Sequence, residues 1–490
     1  MTWRHAQESH RRPRGDDAAN RAAPYYDSFT GGMEDDLNPR ICCALGLVAG
    51  AFALPAPAKV PADQAAGLNG PTLTCMGAER AGTPGGVAEY TGKYLDRWPG
   101  MKEAQGYEPG PYAAERPLFK ITAANAAQHA ARLTTGQQRL LSEYPQTYWI
   151  NVYPSHRDFR LPDWACEVTK QNALSAEVVD GGLGTTGTTG SIPFPFPQSG
   201  LEAAWNINHT YRPWKQAATN DVADVYGGGR IAWSRQKFST LCMFCDPHKR
   251  GSNQDRINSY AFLAFLSPPK DKGFVSVAWA PNNFVNDAYK AWQYIPGTRR
   301  VRQAPEIGHD YPLPPAGART VDDDYLFNGS PERYNWNIVG KKEIYVPYNN
   351  SRINDPAIKY RELLKDATVN SDLVRYELHR VWVIRATLKD GYRHVYKTRE
   401  LYVDEDTWLA AWADNYDGRD QLWRVAFINY FYAPAAQSYA RGVSVYHDLT
   451  AKSYQAGYLV NESGDGWWKF NDPAMKPEQF TPSAALTAGK

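Results

Sequence analysis

The chain has 490 residues, with 54 basic and 52 acidic side chains. A formal charge of +2 lacks the basic excess that marks nucleic-acid binders. A mean hydropathy of -0.57, with no apolar run long enough to span a bilayer, argues for a soluble protein.

The first element in chain order is the apolar run Ile41–Leu54, followed by Pro55-Ala56-Pro57-Ala58. It falls short of the roughly 20 residues of a spanning helix, yet fits the core of an export signal. Ala56-x-Ala58 supplies the small residues of a cleavage site, and residues 1–32 read as a misassigned start. Residues 1–58 are therefore expected to be removed. No cysteine follows the cleavage site, so no lipid anchor is expected. Four cysteines remain, Cys75, Cys166, Cys242 and Cys245, and an oxidising compartment allows them three pairings.

Residues 59–200 form an irregular, Gly-, Pro- and Ala-rich arm that carries helices. Thr122 reads as the cap of a helix over Ala123–Leu133, and Thr134 starts a second over Gln137–Tyr144. Gly181–Gly190 and the prolines after it are loop. From 201 to 470 a β domain is expected, opened by a short helix at Leu201–Tyr211. Strands follow at Gly229–Thr240, Asn258–Leu266 and Phe274–Ala280. A hairpin then turns at Pro296-Gly297, and Tyr334–Val346 is a further strand. Asp355 and Pro356 mark a helix start before Ala357–Lys365. Four long strands close the series, Tyr376–Leu388, Tyr392–Val403, Thr407–Tyr416 and Gln421–Tyr432, joined by tight polar turns. The tail, 471–490, is expected to fray.

Aromatic and aliphatic residues carry the binding hypothesis. Aromatics make up 13% of the chain, and each ring buries much area at little entropic cost. Val277 and Trp279 share one strand face, and so do Trp423, Val425 and Phe427. Trp408 and Trp412 are read the same way, and Val381 and Val383 share a face of a strand that is apolar on both sides. With Phe262, Phe265, Trp292 and Tyr294 they make up the candidate ligand-binding set. A tall, coiled meander of such strands can wrap a long apolar molecule; a solid core would show the same pattern.

Other motifs are weaker. Gly181–Gly190 lacks the Lys-Ser/Thr of a phosphate loop. Cys242-x-x-Cys245 with His248 offers three metal ligands where structural zinc takes four, so a disulfide is the better reading. Asp322-Asp323-Asp324 and His379 are the candidate acids and base of a hydrolase; a solvated acidic run and a hydrogen-bonded strand histidine are the plainer alternatives. Asp404-Glu405-Asp406 fits a turn. Arg299, Arg300 and Arg302 flank a hairpin turn and suit either solvent or lipid headgroups. No catalytic residue, metal or cofactor is assigned.

Tyr402-Val403-Asp404-Glu405-Asp406-Thr407-Trp408, followed by Asn415-Tyr416-Asp417-Gly418 and Leu422-Trp423, resembles the strand–turn–strand signature of the LolA/LolB/LppX-like lipoprotein-sorting proteins. More closely, the chain resembles the bacterial exported family of domain of unknown function 1329. Pro117–Thr122, Gly190–Pro195, Ala291–Arg302 and Lys341–Asn350 carry that likeness, with Gly77–Gly82 before them. The resemblance implies a mainly β fold: a highly curved antiparallel half-barrel with helices covering its concave mouth. It further implies a periplasmic carrier of a lipid, acyl chain or terpenoid, working with an outer-membrane β-barrel and an inner-membrane transporter of the resistance-nodulation-division (RND) type. The rival readings are a secreted hydrolase and an envelope scaffold without a ligand.

Overall fold

A computed structural model describes residues 60–249, 256–305, 307–314, 316–464 and 467–490. The export segment expected at 1–58 lies outside the described residues.

The arm holds short elements. They are α1 (Ala62–Ala66), β1 (Tyr90–Tyr94), β2 (Phe119–Ile121), α2 (Thr135–Glu143), β3 (Ile150–Val152), β4 (Arg157–Phe159) and α3 (Asp163–Ser175). Thr134 and Gln137 cap α2 reciprocally, each side chain accepting the other's backbone N–H at 3.0 Å. The helix expected over Ala123–Leu133 is only a 3-10 helix, Ala126–Arg132. Asn125 Oδ1 accepts the Thr122 N–H at 2.7 Å there, a side-chain-to-backbone bond that competes with helix start. β5 (Glu177–Val179) and β6 (Gly184–Thr186) pair within the glycine-rich loop, and α4 (Gly200–His209) starts on the Ser199 cap.

Long strands then dominate. First come β7 (Lys215–Val225), β8 (Ile231–Cys242), β9 (Ile257–Ser267), β10 (Val275–Pro281), β11 (Lys290–Ile295), β12 (Arg300–Gln303) and β13 (Tyr334–Pro347). After α5 (Tyr360–Leu363) come β14 (Tyr376–Leu388), β15 (Thr398–Asp404), β16 (Ala410–Tyr416), β17 (Leu422–Ala433), β18 (Ser438–Asp448) and β19 (Ser453–Leu459). β20 (Lys469–Phe470) and α6 (Pro482–Gly489) end the chain.

Most of these strands join one 16-stranded sheet, ordered β12-β11-β10-β9-β8-β7-β19-β18-β17-β16-β15-β14-β3-β2, with β13 on β14 and β20 on β7. The sheet is mixed, because β3 from the arm meets β14 in parallel at Val152 and Tyr376. The highly curved antiparallel half-barrel expected from the sequence is not seen: no sheet among the described residues is closed or strongly curled. The physical reason lies in burial. β14, β17 and β18 are buried on both faces along most of their length, so they form a filled layer rather than the wall of an open mouth.

Three local expectations are also corrected. The helix at Ala357–Lys365 shrinks to α5, since Asp355 Oδ1 accepts the Ala357 N–H at 2.8 Å and closes a turn instead. β16 starts only at Ala410; Trp408 before it has a left-handed φ of 58°, outside the extended region of a regular strand. The tail is ordered: a 3-10 helix at Pro477–Phe480 leads into α6, whose Ala485 is fully buried against β10 and β11.

Candidate ligand-binding cleft

Strands β8 to β11 present two different faces. Their register sets Thr240, Ala261, Ala278 and Ala291 in one row across the sheet. The next row on the same face is Phe238, Leu263, Ser276 and Gln293. Alanine and serine leave this floor low where larger side chains would fill it. Above the floor lies a flap formed by residues 307–314 and 316–321, pinned as a hairpin by Leu313 N–H to Arg319 O at 2.9 Å and Val321 N–H to Tyr311 O at 3.0 Å. Between floor and flap is a cleft of about 130 Å³, with Phe265 and Phe274 at one end and Ile307, Tyr311 and Leu313 on the flap side. Two further hollows, of about 70 and 140 Å³, share Tyr289 with it and prolong the space toward Asn328.

The polar end of the cleft holds Arg319, Asp324 and Tyr458. Arg441 grips Asp324 through both terminal nitrogens, and Arg319 Nη1 lies 3.6 Å from Asp324 Oδ1. Burial alone would raise the Asp324 carboxyl; the Arg441 and Arg319 charges outweigh it and hold the group below the usual carboxylate range. Asp322 and Asp323 point away into the core. There they meet the fully buried Arg399 at 3.1 and 2.8 Å, with His394 3.0 Å from Asp322 and the Tyr396 hydroxyl donating to Asp323 at 2.9 Å. The acidic run is therefore neither solvated nor gathered on one reacting atom.

The Asp404–Asp406 run is buried as well. Arg157 donates to Asp406 at 2.6 and 2.8 Å, and Arg380 to Glu405 at 2.5 Å. His379 stands 3.1 Å from Asp404 and 3.4 Å from Glu377. Ligand atoms of His379, Asp404 and Asp406 come within 4.8 Å of one another. Arg157 already occupies Asp406, however, and the histidine is drawn to its cationic form, so the trio fits an ion-pair network better than a metal site.

The predicted binding residues fall into four places. Phe265 borders the cleft, whereas Phe262, paired with Val277, turns to the reverse face. Val277, Trp292 and Tyr294 lie on the reverse face of the same strands, packed with Ala485 and Leu486 of α6. Trp279 joins them there, its indole N–H donating to Phe480 O at 2.7 Å. Val381, Val383, Trp408, Trp412, Val425 and Phe427 are nearly or fully buried in the main core. Trp423 stacks under Arg424, with 4.2 Å from guanidinium to ring, and donates to Asp448 at 3.0 Å. Sequence reading followed the large residues to the filled face. The signal it passed over was the run of small ones, Ala261, Ser276, Ala278 and Ala291, one position out of phase.

The cysteines pair as Cys75–Cys166 and Cys242–Cys245, which leaves no thiolate of this set for a metal. Arg299, Arg300 and Arg302 are exposed at the β11–β12 hairpin, at the same end of the sheet as the exposed Lys270 and Lys272.

Residues 120–485 match the family model described as protein of unknown function (DUF1329). The chain is also 39% identical over 442 residues to the uncharacterized protein PA3922 of Pseudomonas aeruginosa, covering 88% of this chain and 94% of that protein. The chain belongs to the DUF1329 family. Among solved structures, this DUF1329 chain is similar to a putative outer membrane lipoprotein-sorting protein domain from Vibrio parahaemolyticus, at 12% identity, covering 58% of this chain and 97% of that one with a TM-score of 0.40. A DUF1329 family protein from Desulfovibrio piger shares 14% identity over 58% and 97% of the two chains, with a TM-score of 0.38. The LolA superfamily protein NE2245 from Nitrosomonas europaea shares 9% over 58% and 98%, with a TM-score of 0.35. No helix among the described residues is long and apolar enough to cross a membrane.

Proposed function

We propose that this DUF1329 protein is a periplasmic carrier that holds a lipid-like molecule in the cleft under the flap and transfers it without covalent chemistry. The observation that carries the reading is the hollow itself: a floor of Ala261, Ser276 and Ala278, aromatic and aliphatic walls, and a cover made of loop. Transfer of a hydrocarbon chain from water contributes about 0.8 kcal/mol per buried methylene, which is enough to drive uptake. Release needs the flap to lift, which breaks contacts such as Arg424 Nη2 to Gly317 O at 3.3 Å and the packing of Ile307 and Val321 on Ala278 and Ala291. The apolar stretch before Ala58 supports export. An outer-membrane β-barrel as acceptor and an RND-type transporter as a further partner complete the proposal.

The scaffold reading draws on a different observation, the shut core around Trp408, Trp412 and Phe427. It leaves the hollow beneath the flap without a purpose. The hydrolase reading is weakened because Asp322, Asp323 and His379 are all committed to buried ion pairs.

Plugging the floor separates carrier from scaffold. Ser276→Trp and Ala278→Phe place a ring in the cleft, at a stability cost of about 1–3 kcal/mol. Each is expected to weaken binding of an environment-sensitive fluorescent fatty-acid probe at least tenfold, while the far-ultraviolet dichroism keeps its wild-type shape. Unchanged probe affinity in both folded variants would remove the cleft from the account.

A further inference from the structure

We propose that the cleft selects amphiphiles bearing one ionised acid head, a carboxylate or a phosphate monoester, and that Arg319 is the residue that meets that head. The proposal rests on the carrier reading and narrows its ligand class.

Arg319 leaves the flap just before Thr320, and its side chain is only 13% exposed. Its Nη2 donates to the Tyr458 hydroxyl at 3.4 Å, near the limit of a hydrogen bond. Its Nη1 is buried with no hydrogen-bond acceptor, and Asp324 Oδ1 at 3.6 Å is too far to serve. A buried guanidinium donor left open costs free energy, and native proteins seldom leave one so. Arg319 is part of the cleft wall, and an acid head there supplies the missing acceptor in a charge-assisted bond once the guanidinium turns its buried Nη1 toward the cleft.

The local charge count agrees. Arg319 and Arg441 face a single carboxylate, Asp324, and Arg441 already holds both of its oxygens. Arg212 adds a third cation, 4.4 Å over the ring of Tyr325, on the side of the adjoining hollow. Among the described residues, a further acid nearby is Asp224 of β7, which accepts from Gln455 Nε2 at 2.8 Å. Burial raises its pKa against the pull of Arg319 and shifts the group toward its neutral form. Positive charge is therefore in excess where the apolar walls end. From the Ala261 row to the Phe265 row the floor runs on for roughly 13 Å, at about 3.3 Å per strand residue, which leaves length for a tail.

Isothermal titration of the full chain at pH 8 with three amphiphiles of one chain length tests this: a fatty acid, an alkyl phosphate and a fatty alcohol. One or both acids are expected to bind the wild type about 10- to 100-fold more tightly than the alcohol, and the tighter of the two identifies the head. Arg319→Met should erase that preference, bringing the acids to within about twofold of the alcohol in the same variant. Alcohol binding as tight as both acids in the wild type would overturn the acid-head proposal and leave the carrier intact. Failure of all three to bind would overturn both. The wild-type comparison needs no variant, so a folding defect in Arg319→Met cannot decide the outcome.

Discussion

Replacing Arg399 with methionine is expected to destabilise the protein by about 3–5 kcal/mol. Arg399 is fully buried and is the counter-ion of both Asp322 and Asp323, at 3.1 and 2.8 Å. Its Nη2 also donates to Leu326 O at 2.8 Å, closing the irregular turn that carries the Asp322–Asp324 run. Methionine matches much of the volume but removes the arginine counter-charge of two carboxylates, and an uncompensated buried charge costs far more than the lost bonds. Asp324 belongs to the same turn, so the polar end of the cleft should loosen with it. Chemical denaturation of wild type and variant measures the loss; a difference below about 1 kcal/mol would mean the pair is not buried as described.

The second large effect is one of pH. Burial alone would depress the imidazole of His379, but the carboxylates of Asp404 and Glu377 outweigh it and raise its pKa from 6.5 to about 9. A group whose folded pKa is raised gives its stabilisation in full below the unfolded value and loses it as pH climbs through the folded one. Stability should therefore fall between pH 6.5 and 9, by about 3 kcal/mol at roughly 1.36 kcal/mol per unit. Asp414, which burial pushes up to about 7, contributes its own decline in a lower window, from 3.8 to 7. The two are thus separable. In His379→Gln the fall above pH 7 should shrink to a small remainder, seen as denaturation midpoints that no longer move between pH 7 and 9. An alkaline fall of equal size in the variant would assign it to other groups.

Much of the scaffold could be read from local chemistry. β14 runs over Tyr376–Leu388 as its alternation and following turn predict, and Thr134 with Gln137 forms the reciprocal cap. What escaped notice has identifiable causes. β7 was missed because Gln216, Asn220, Asp221 and Asp224 are poor strand formers in isolation. Partners drawn from distant strands satisfy them, such as Arg235 on Asp221 at 2.7 Å and Gln455 on Asp224 at 2.8 Å. The tail was expected to fray because its few apolar residues have no partner nearby in sequence; the partner is the far face of β10 and β11. That same docking decides which face of these strands is filled. Covered by α6, the face bearing Val277 and Trp292 becomes core, and the hollow opens on the other side. Tertiary coverage decides which face of a strand stays empty, and it leaves little local trace.

Gentle purification of the protein from its native host followed by native mass spectrometry examines the cleft with whatever it holds in the cell. The expected spectrum shows a population heavier than the polypeptide by one lipid-sized molecule, released by organic solvent and depleted in Ser276→Trp. A spectrum of bare polypeptide alone, unchanged after incubation with envelope lipid extract, would contradict the carrier.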